Sequence, residues 1–188
     1  MTSKQILRGK LLRRLSRQTE AQRRAQSQII LRRLRWLAAY RRAKTILCYV
    51  AIGGEVETRP FLTRALADGK RVAVPVVIGN GHRMVAAEIR DTERDLARKS
   101  RFGVPVPGNP IRRRIPVDRL DLVVVPGVGF DRNGLRLGRG GGHFDRFLGR
   151  LPARIPRVGL AFGFQIVPQL PSKPHDRPVT LLVTDEPA

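Results

Sequence analysis

The stretch Asp121 to Leu148, DLVVVPGVGFDRNGLRLGRGGGHFDRFL, runs an apolar strand into a glycine-rich loop bearing Arg136 and Arg139. The loop leads straight into a helix, His143 to Leu151, with Asp145 in its first turn. Strand, glycine loop and helix in that order suit a phosphate site in an α/β sheet. Gly138, Gly140, Gly141 and Gly142 free the backbone to turn several N–H groups toward one anion. The helix start adds unpaired N–H groups and the positive end of a dipole, and the two arginines supply counter-charge. The spacing is not that of a P-loop, because no Gly-Lys-Ser/Thr follows. Nor is it a dinucleotide fingerprint, because no acidic residue stands about 20 positions on after a second strand. For the loop taken alone, a tight turn with glycines chosen for backbone angle is an equal alternative. Asp145 alone reads first as a helix acid that favours the dipole.

Outward from this stretch the chain alternates helix and strand. Ser3 is placed to cap a first helix with an apolar stripe of Ile6, Leu7, Leu11, Leu12 and Leu15 among basic residues. A second helix is predicted from about Thr19 to Arg42, with Ala21, Ala25, Ile29 or Ile30, Leu34, Leu37 and Ala38 on one face. Thr45 to Val50 reads as a buried strand, Thr58 to Ala67 as a helix closed by Gly69, and Arg71 to Val77 as a second strand. Met84 to Ile89, Val158 to Phe162 and Val179 to Val183 are further strand candidates. The prolines of FGVPVPGNP, Phe102 to Pro110, argue against regular structure there. The expected fold is one α/β domain over residues 1–188: an open, mostly parallel sheet flanked by helices on both faces, with the basic helices of residues 1–44 packed on it. Ligands of such sheets collect at the carboxyl ends of the strands.

The chain of 188 residues suffices for one sizeable core and is short for two. It has no run of membrane-spanning length and no signal-like apolar core at its start. Its single cysteine, Cys48, excludes an intrachain disulfide, which suits a cytoplasmic protein. The formal charge of +22 is unevenly spread: residues 1–44 hold fourteen Lys or Arg against Glu20 alone, a net +13. Three readings of that segment stand side by side: a solvated basic face, a field that steers polyanionic substrates, and a surface for nucleic acid. No Cys/His grouping indicates zinc, and no Ser/His/Asp arrangement is present. His82 and His175 read as loop residues.

The segment VPGVGFDRNGLRLGRGGGHFDR closely resembles the signature PG-x-x-FD-x-x-G-x-RLG-x-GGG-Y-Y-D-R of the 5-formyltetrahydrofolate cyclo-ligase family. Lys4 and Arg8, Glu55 to Thr58, Phe102 to Pro105 and His175-Asp176 also fall where that family carries related pieces, so the resemblance spans nearly the whole chain. It implies an ATP- and Mg²⁺-dependent ligase of one-carbon folate metabolism. That enzyme turns 5-formyltetrahydrofolate into 5,10-methenyltetrahydrofolate, with release of ADP and phosphate. It further implies ATP contacts at Lys4, Arg8, Arg136, Leu137, Gly138, Arg139, Gly140, Gly141, Gly142, His143 and Phe144. Substrate contacts are implied at Val50, Glu55, Arg139, Gly140, Gly141, Gly142 and His143, catalytic roles for Arg139 and Asp145, and Mg²⁺ ligands at Asp145 and Asp176.

Three positions depart from the pattern: His143-Phe144 replaces Tyr-Tyr, Val106 stands where an acid is usual, and Gly53-Gly54 precedes Glu55 where bulkier residues are expected. The expected partners are ATP and 5-formyltetrahydrofolate, with or without a polyglutamate tail, acting on a monomer without a membrane. The alternatives are a non-catalytic nucleic-acid binder using the arginine-rich helices, and an ATP-dependent enzyme for another substrate.

Overall fold

A computed structural model describes residues 3–79, 83–171 and 176–186. The predicted positions of His82 and His175 lie outside these residues. The elements are α1 (Ser3–Ser16), α2 (Glu20–Trp36), α3 (Ala38–Arg42), β1 (Thr45–Cys48), α4 (Arg59–Ala67), β2 (Arg71–Ile78), β3 (Arg83–Ile89), β4 (Arg98–Lys99), β5 (Pro105–Val106), β6 (Arg114–Ile115), β7 (Leu122–Val125), β8 (Gly129–Asp131), β9 (Arg136–Leu137), α5 (His143–Leu148), β10 (Arg157–Ala161), β11 (Ile166–Val167) and β12 (Leu181–Thr184).

The main sheet has the order β12-β10-β7-β1-β2-β3-β6. From β12 to β2 every pairing is parallel, and β3 and β6 close one edge antiparallel. Strand periodicity sorts the core into two halves. Ile46, Cys48, Val72, Val74, Leu122, Val124, Val158 and Leu160 join α1, α2 and α4 on one face. Leu47, Ala73, Val123, Val125 and Ala161 join Phe147 and Leu148 of α5 on the other. Strands buried on both faces read as continuous apolar runs, which is why LVVV and TILC stood out.

Several boundaries move. The predicted second helix is broken at Leu37, whose φ of −60° and ψ of 137° are extended. No Gly or Pro marks the break. The turn lets Tyr40 reach the ring of Phe61 at 5.3 Å and donate its hydroxyl to Asp68 Oδ2 at 2.7 Å. The buried stripe of α2 is Ser27, Ile30, Leu31 and Leu34, so Ala21 and Ala25 face solvent. In α1 only Leu11 and Leu15 are buried, and Ile6 is 59% exposed. Ser3 is the first described residue of α1 and lies within the helix. Strand β1 ends at Cys48, α5 at Leu148, and the last strand is Leu181–Thr184. Pro105–Val106 does form a strand, pairing with β4 as a two-residue ladder, a place where a missing N–H costs little. Among the described residues, no helix is long and apolar enough to cross a membrane.

Candidate active site

Where β1 and β7 end, the chain leaves the sheet: Tyr49 and Val50 on one side, Pro126, Gly127 and Val128 on the other. These residues, with Val77 of β2 and Met84 of β3, floor a cavity of about 650 Å³. It thus lies at the carboxyl ends of the parallel strands, as such sheets favour.

The glycine loop forms its far wall. It is held by a hairpin in which β8 pairs with β9 and β11 lies parallel to β8. The organiser is Asp131, which is 0% exposed. Its Oδ1 accepts from the N–H groups of Asn133 and Leu135, each at 3.0 Å, and its Oδ2 from Leu170 at 3.0 Å. Gln165 plays the complementary part, its Nε2 donating to the carbonyls of Gly127 and Val128 at 2.8 and 3.0 Å. Beyond β9, Gly140 and Gly142 take φ of 111° and 63°, the left-handed region the sequence reading required. Helix α5 is six residues long, so the favourable field for an anion comes from the loop amides and arginines more than from a helix dipole.

Helix α1 supplies two cations from the other end of the sequence. Arg8 donates from Nε to the carbonyl of Gly138 at 2.8 Å, and Lys4 meets Asp176 Oδ2 at 2.8 Å. Arg136 is buried, donating to Asp145 Oδ1 at 2.9 Å and stacking its guanidinium 5.6 Å from the Phe144 ring centre. Its buried Nε has no hydrogen-bond partner among the described residues, an unmet donor on the wall of a cavity rich in cations. Such a wall fits a polyphosphate. Asp145 and Asp176 fit a hard cation shared with that polyphosphate, since Mg²⁺ needs only one or two carboxylates beside phosphate and water. No group of three or more His, Cys, Asp or Glu exists among the described residues to hold a metal by itself.

On the opposite wall, Glu55 is 7% exposed. Its Oε1 accepts from Arg139 Nε at 3.0 Å and its Oε2 from the Ile52 N–H at 3.1 Å. Burial pushes the Glu55 carboxyl above its ordinary value, against the opposing pull of the Arg139 charge and the Ile52 N–H. Arg139 also donates to the carbonyls of Ile52 and Gly53 at 3.1 and 3.4 Å, so the glycine loop and the Glu55 loop are tied by one side chain. His143 packs its ring on Phe102, centroids 5.7 Å apart, and Arg146 bonds its Nδ1 at 3.1 Å.

Every residue singled out from the sequence lines this one cavity: Lys4, Arg8, Val50, Glu55, the run Arg136 to Phe144, Asp145 and Asp176. Tyr49, Ile52, Pro75, Val77, Met84, Phe102, Val104 and Pro126 to Val128 line it too and were not anticipated as site residues. Most are apolar strand-end residues with no local signal that separates them from core; Pro126 and Gly127, inside the quoted signature, and Phe102 and Val104, inside the mid-chain piece, offered one. Val106, in the position of the family's acid, does not line the cavity.

Known proteins resemble the chain over its whole length. A profile of the 5-formyltetrahydrofolate cyclo-ligase family matches residues 1–185. The 5-formyltetrahydrofolate cyclo-ligase of Mus musculus is 30% identical over 195 residues, spanning 100% of this chain and 96% of its own length. That of Escherichia coli K12 is 32% identical over 145 residues, spanning 76% and 78%. The solved 5,10-methenyltetrahydrofolate synthetase of Aquifex aeolicus superposes with a TM-score of 0.85 at 31% identity, over 99% of this chain and 91% of that one. The synthetase of Mycoplasma pneumoniae, at 24% identity and a TM-score of 0.79, shares the fold. From signature, topology and whole-length similarity together, the chain belongs to the 5-formyltetrahydrofolate cyclo-ligase family, whose members are ligases that form a C–N bond.

Proposed function

We propose that the protein converts 5-formyltetrahydrofolate to 5,10-methenyltetrahydrofolate at the expense of ATP. The formyl oxygen takes the γ-phosphoryl group and ADP departs. Nitrogen 10 then attacks the formyl carbon, the carbon–oxygen bond breaks to release phosphate, and nitrogen 10 gives up its proton. The difficulty is that a formamide oxygen leaves poorly until it is phosphorylated. The protein's task is therefore alignment and charge dispersal more than covalent chemistry.

Lys4, Arg8, Arg136 and the amides of Gly138 to Gly142 hold the triphosphate. Glu55 accepts from the donor edge of the pterin ring, with Val50 against its face. Asp145 and Asp176 would hold Mg²⁺, which when bound supplies charge to the phosphate oxygens. Arg139, rooted in the glycine loop with its side chain on Glu55, lies between the two groups of residues and supplies positive charge for the transferring phosphoryl. Pro75, Val77, Met84, Val104 and Val128 line the cavity with apolar surface, which keeps water from a phosphorylated intermediate.

What carries this reading is the convergence of α1, the Glu55 loop, the glycine loop and Asp176 on one cavity, although they are separated by up to 172 residues of sequence. The test is to mix the protein with ATP, Mg²⁺ and 5-formyltetrahydrofolate and follow the methenyl product by its near-ultraviolet absorbance. Turnover is expected to require ATP and to be lost, by about 10²-fold or more, in Asp145→Ala. Folded wild-type protein that binds ATP yet gives no product would refute the reading.

A further inference from the structure

The side chain that separates the two halves of the cavity carries a consequence for how they communicate. Arg139 belongs by its backbone to the phosphate loop, next to Gly138, whose carbonyl is fixed by Arg8. By its side chain it belongs to the other wall, with its Nε on Glu55 Oε1 and its terminal nitrogen on the carbonyls of Ile52 and Gly53. Gly53 makes that position available. A Cβ there would stand 2.8 Å from the Arg139 terminal nitrogen, and the residue's φ of 54° lies where side chains are strained. Gly53, unexpected in the sequence, thus opens a berth for the guanidinium.

The group that Glu55 holds is chemically telling. A 2-amino-4-oxopteridine presents a ring nitrogen, C2 and its exocyclic amine to a carboxylate, which is a guanidine unit in outline and donor pattern. Arg139 presents a guanidinium to the same carboxylate. Glu55 is buried, so it needs a donor partner whenever it is charged. The Arg139 side chain is 39% exposed, free to change partner without disturbing the core.

Resting on the function proposed above, we infer that Arg139 is a mobile stand-in for the pterin edge. Folate displaces its guanidinium from Glu55, the released cation turns to the terminal phosphate of ATP, and the two substrates thereby bind with positive cooperativity. Arg139 makes the phosphate site complete only when the folate site is filled.

The test is a binding cycle with 5-formyltetrahydrofolate and a non-hydrolysable ATP analogue, measured by calorimetry on wild type, Arg139→Ala and Arg139→Lys. In the wild type, the analogue is expected to tighten folate binding by about 5-fold or more, and folate to tighten the analogue equally, as linkage demands. In Arg139→Ala, folate alone should bind several-fold tighter than to wild type, because its competitor is gone, while the cooperativity falls to about 1. Arg139→Lys keeps the charge without the planar fork and should also bind folate alone more tightly, retaining part of the cooperativity. Weaker folate binding to folded Arg139→Ala in the absence of nucleotide would overturn the inference, making Arg139 a wall that merely holds Glu55. So would undiminished cooperativity in that variant. A wild type that turns over folate without cooperativity removes this inference alone, whereas one that neither binds nor turns it over removes the proposed function as well.

Discussion

Glu55 concentrates the site's acid–base behaviour in one side chain. In the proposed function, folate is recognised by the charged form of Glu55, and burial holds its carboxyl above the ordinary range. Folate binding is therefore expected to fall, as pH drops, at a higher pH than an exposed glutamate would dictate. The groups facing it are Arg139, the Ile52 N–H and Tyr49, whose phenol is itself pushed up by burial and by Glu55. Stability runs the other way. A carboxyl raised on folding favours the fold most below its unfolded value, and that contribution is lost as pH rises through the folded value. Replacing Glu55 by Gln is expected to raise KM for folate by about 10- to 100-fold, the worth of a hydrogen bond to a charged group. The KM for ATP should stay near wild type, and the acid limb of the folate KM profile should disappear. At this scale the sequence was legible only through pattern. Lys4 and Arg8 are two of fourteen basic residues in the first 44 and nothing in their composition distinguishes them. Asp131 was visible as a letter of the signature, but one of its three N–H donors is Leu170, 39 residues away.

Among the elements, the glycine loop depends on a hairpin that is itself built around a buried carboxylate. Asp131→Ala strips the acceptor from three N–H groups and is expected to destabilise the protein by about 3–5 kcal/mol, read as a lowered urea midpoint. Helix α1 is the other support. A Cβ on Gly54 would sit 2.6 Å from the Leu15 carbonyl oxygen, and Gln18 Nε2 donates to both the Leu15 and Gly54 carbonyls, at 3.3 and 3.2 Å. Because the same helix delivers Arg8 to the glycine loop and Lys4 to Asp176, Gly54→Ala is expected to cost about 1–3 kcal/mol of stability and to raise KM for ATP. Thermal melts and an ATP titration check the two halves of that prediction. The longer strands and helices were readable from apolar periodicity, whereas the two- and three-residue strands β4, β5, β6, β8, β9 and β11 were not. The break at Leu37 was not, because its cause is the distant pair Phe61 and Asp68 that Tyr40 turns to meet.

Over the whole molecule the excess of positive charge has few internal partners to absorb it, with 37 Lys and Arg against 15 Asp and Glu. Retention on an immobilised polyanion such as heparin is expected at low salt, with log affinity falling linearly in log salt concentration. Retention unchanged by salt would show that the contact is not electrostatic. The sheet itself was foreseeable from TILC, LVVV and their neighbours, whereas its strand order comes from tertiary pairing that no local window contains. One of those strands gives the molecule a clock. Cys48 is the chain's single thiol, fully buried on β1, the middle strand of seven, and burial suppresses its ionisation. A thiol reagent can reach it only when the centre of the sheet opens. The rate of its alkylation in native buffer therefore times the opening of the core, on unmodified protein and without any added probe.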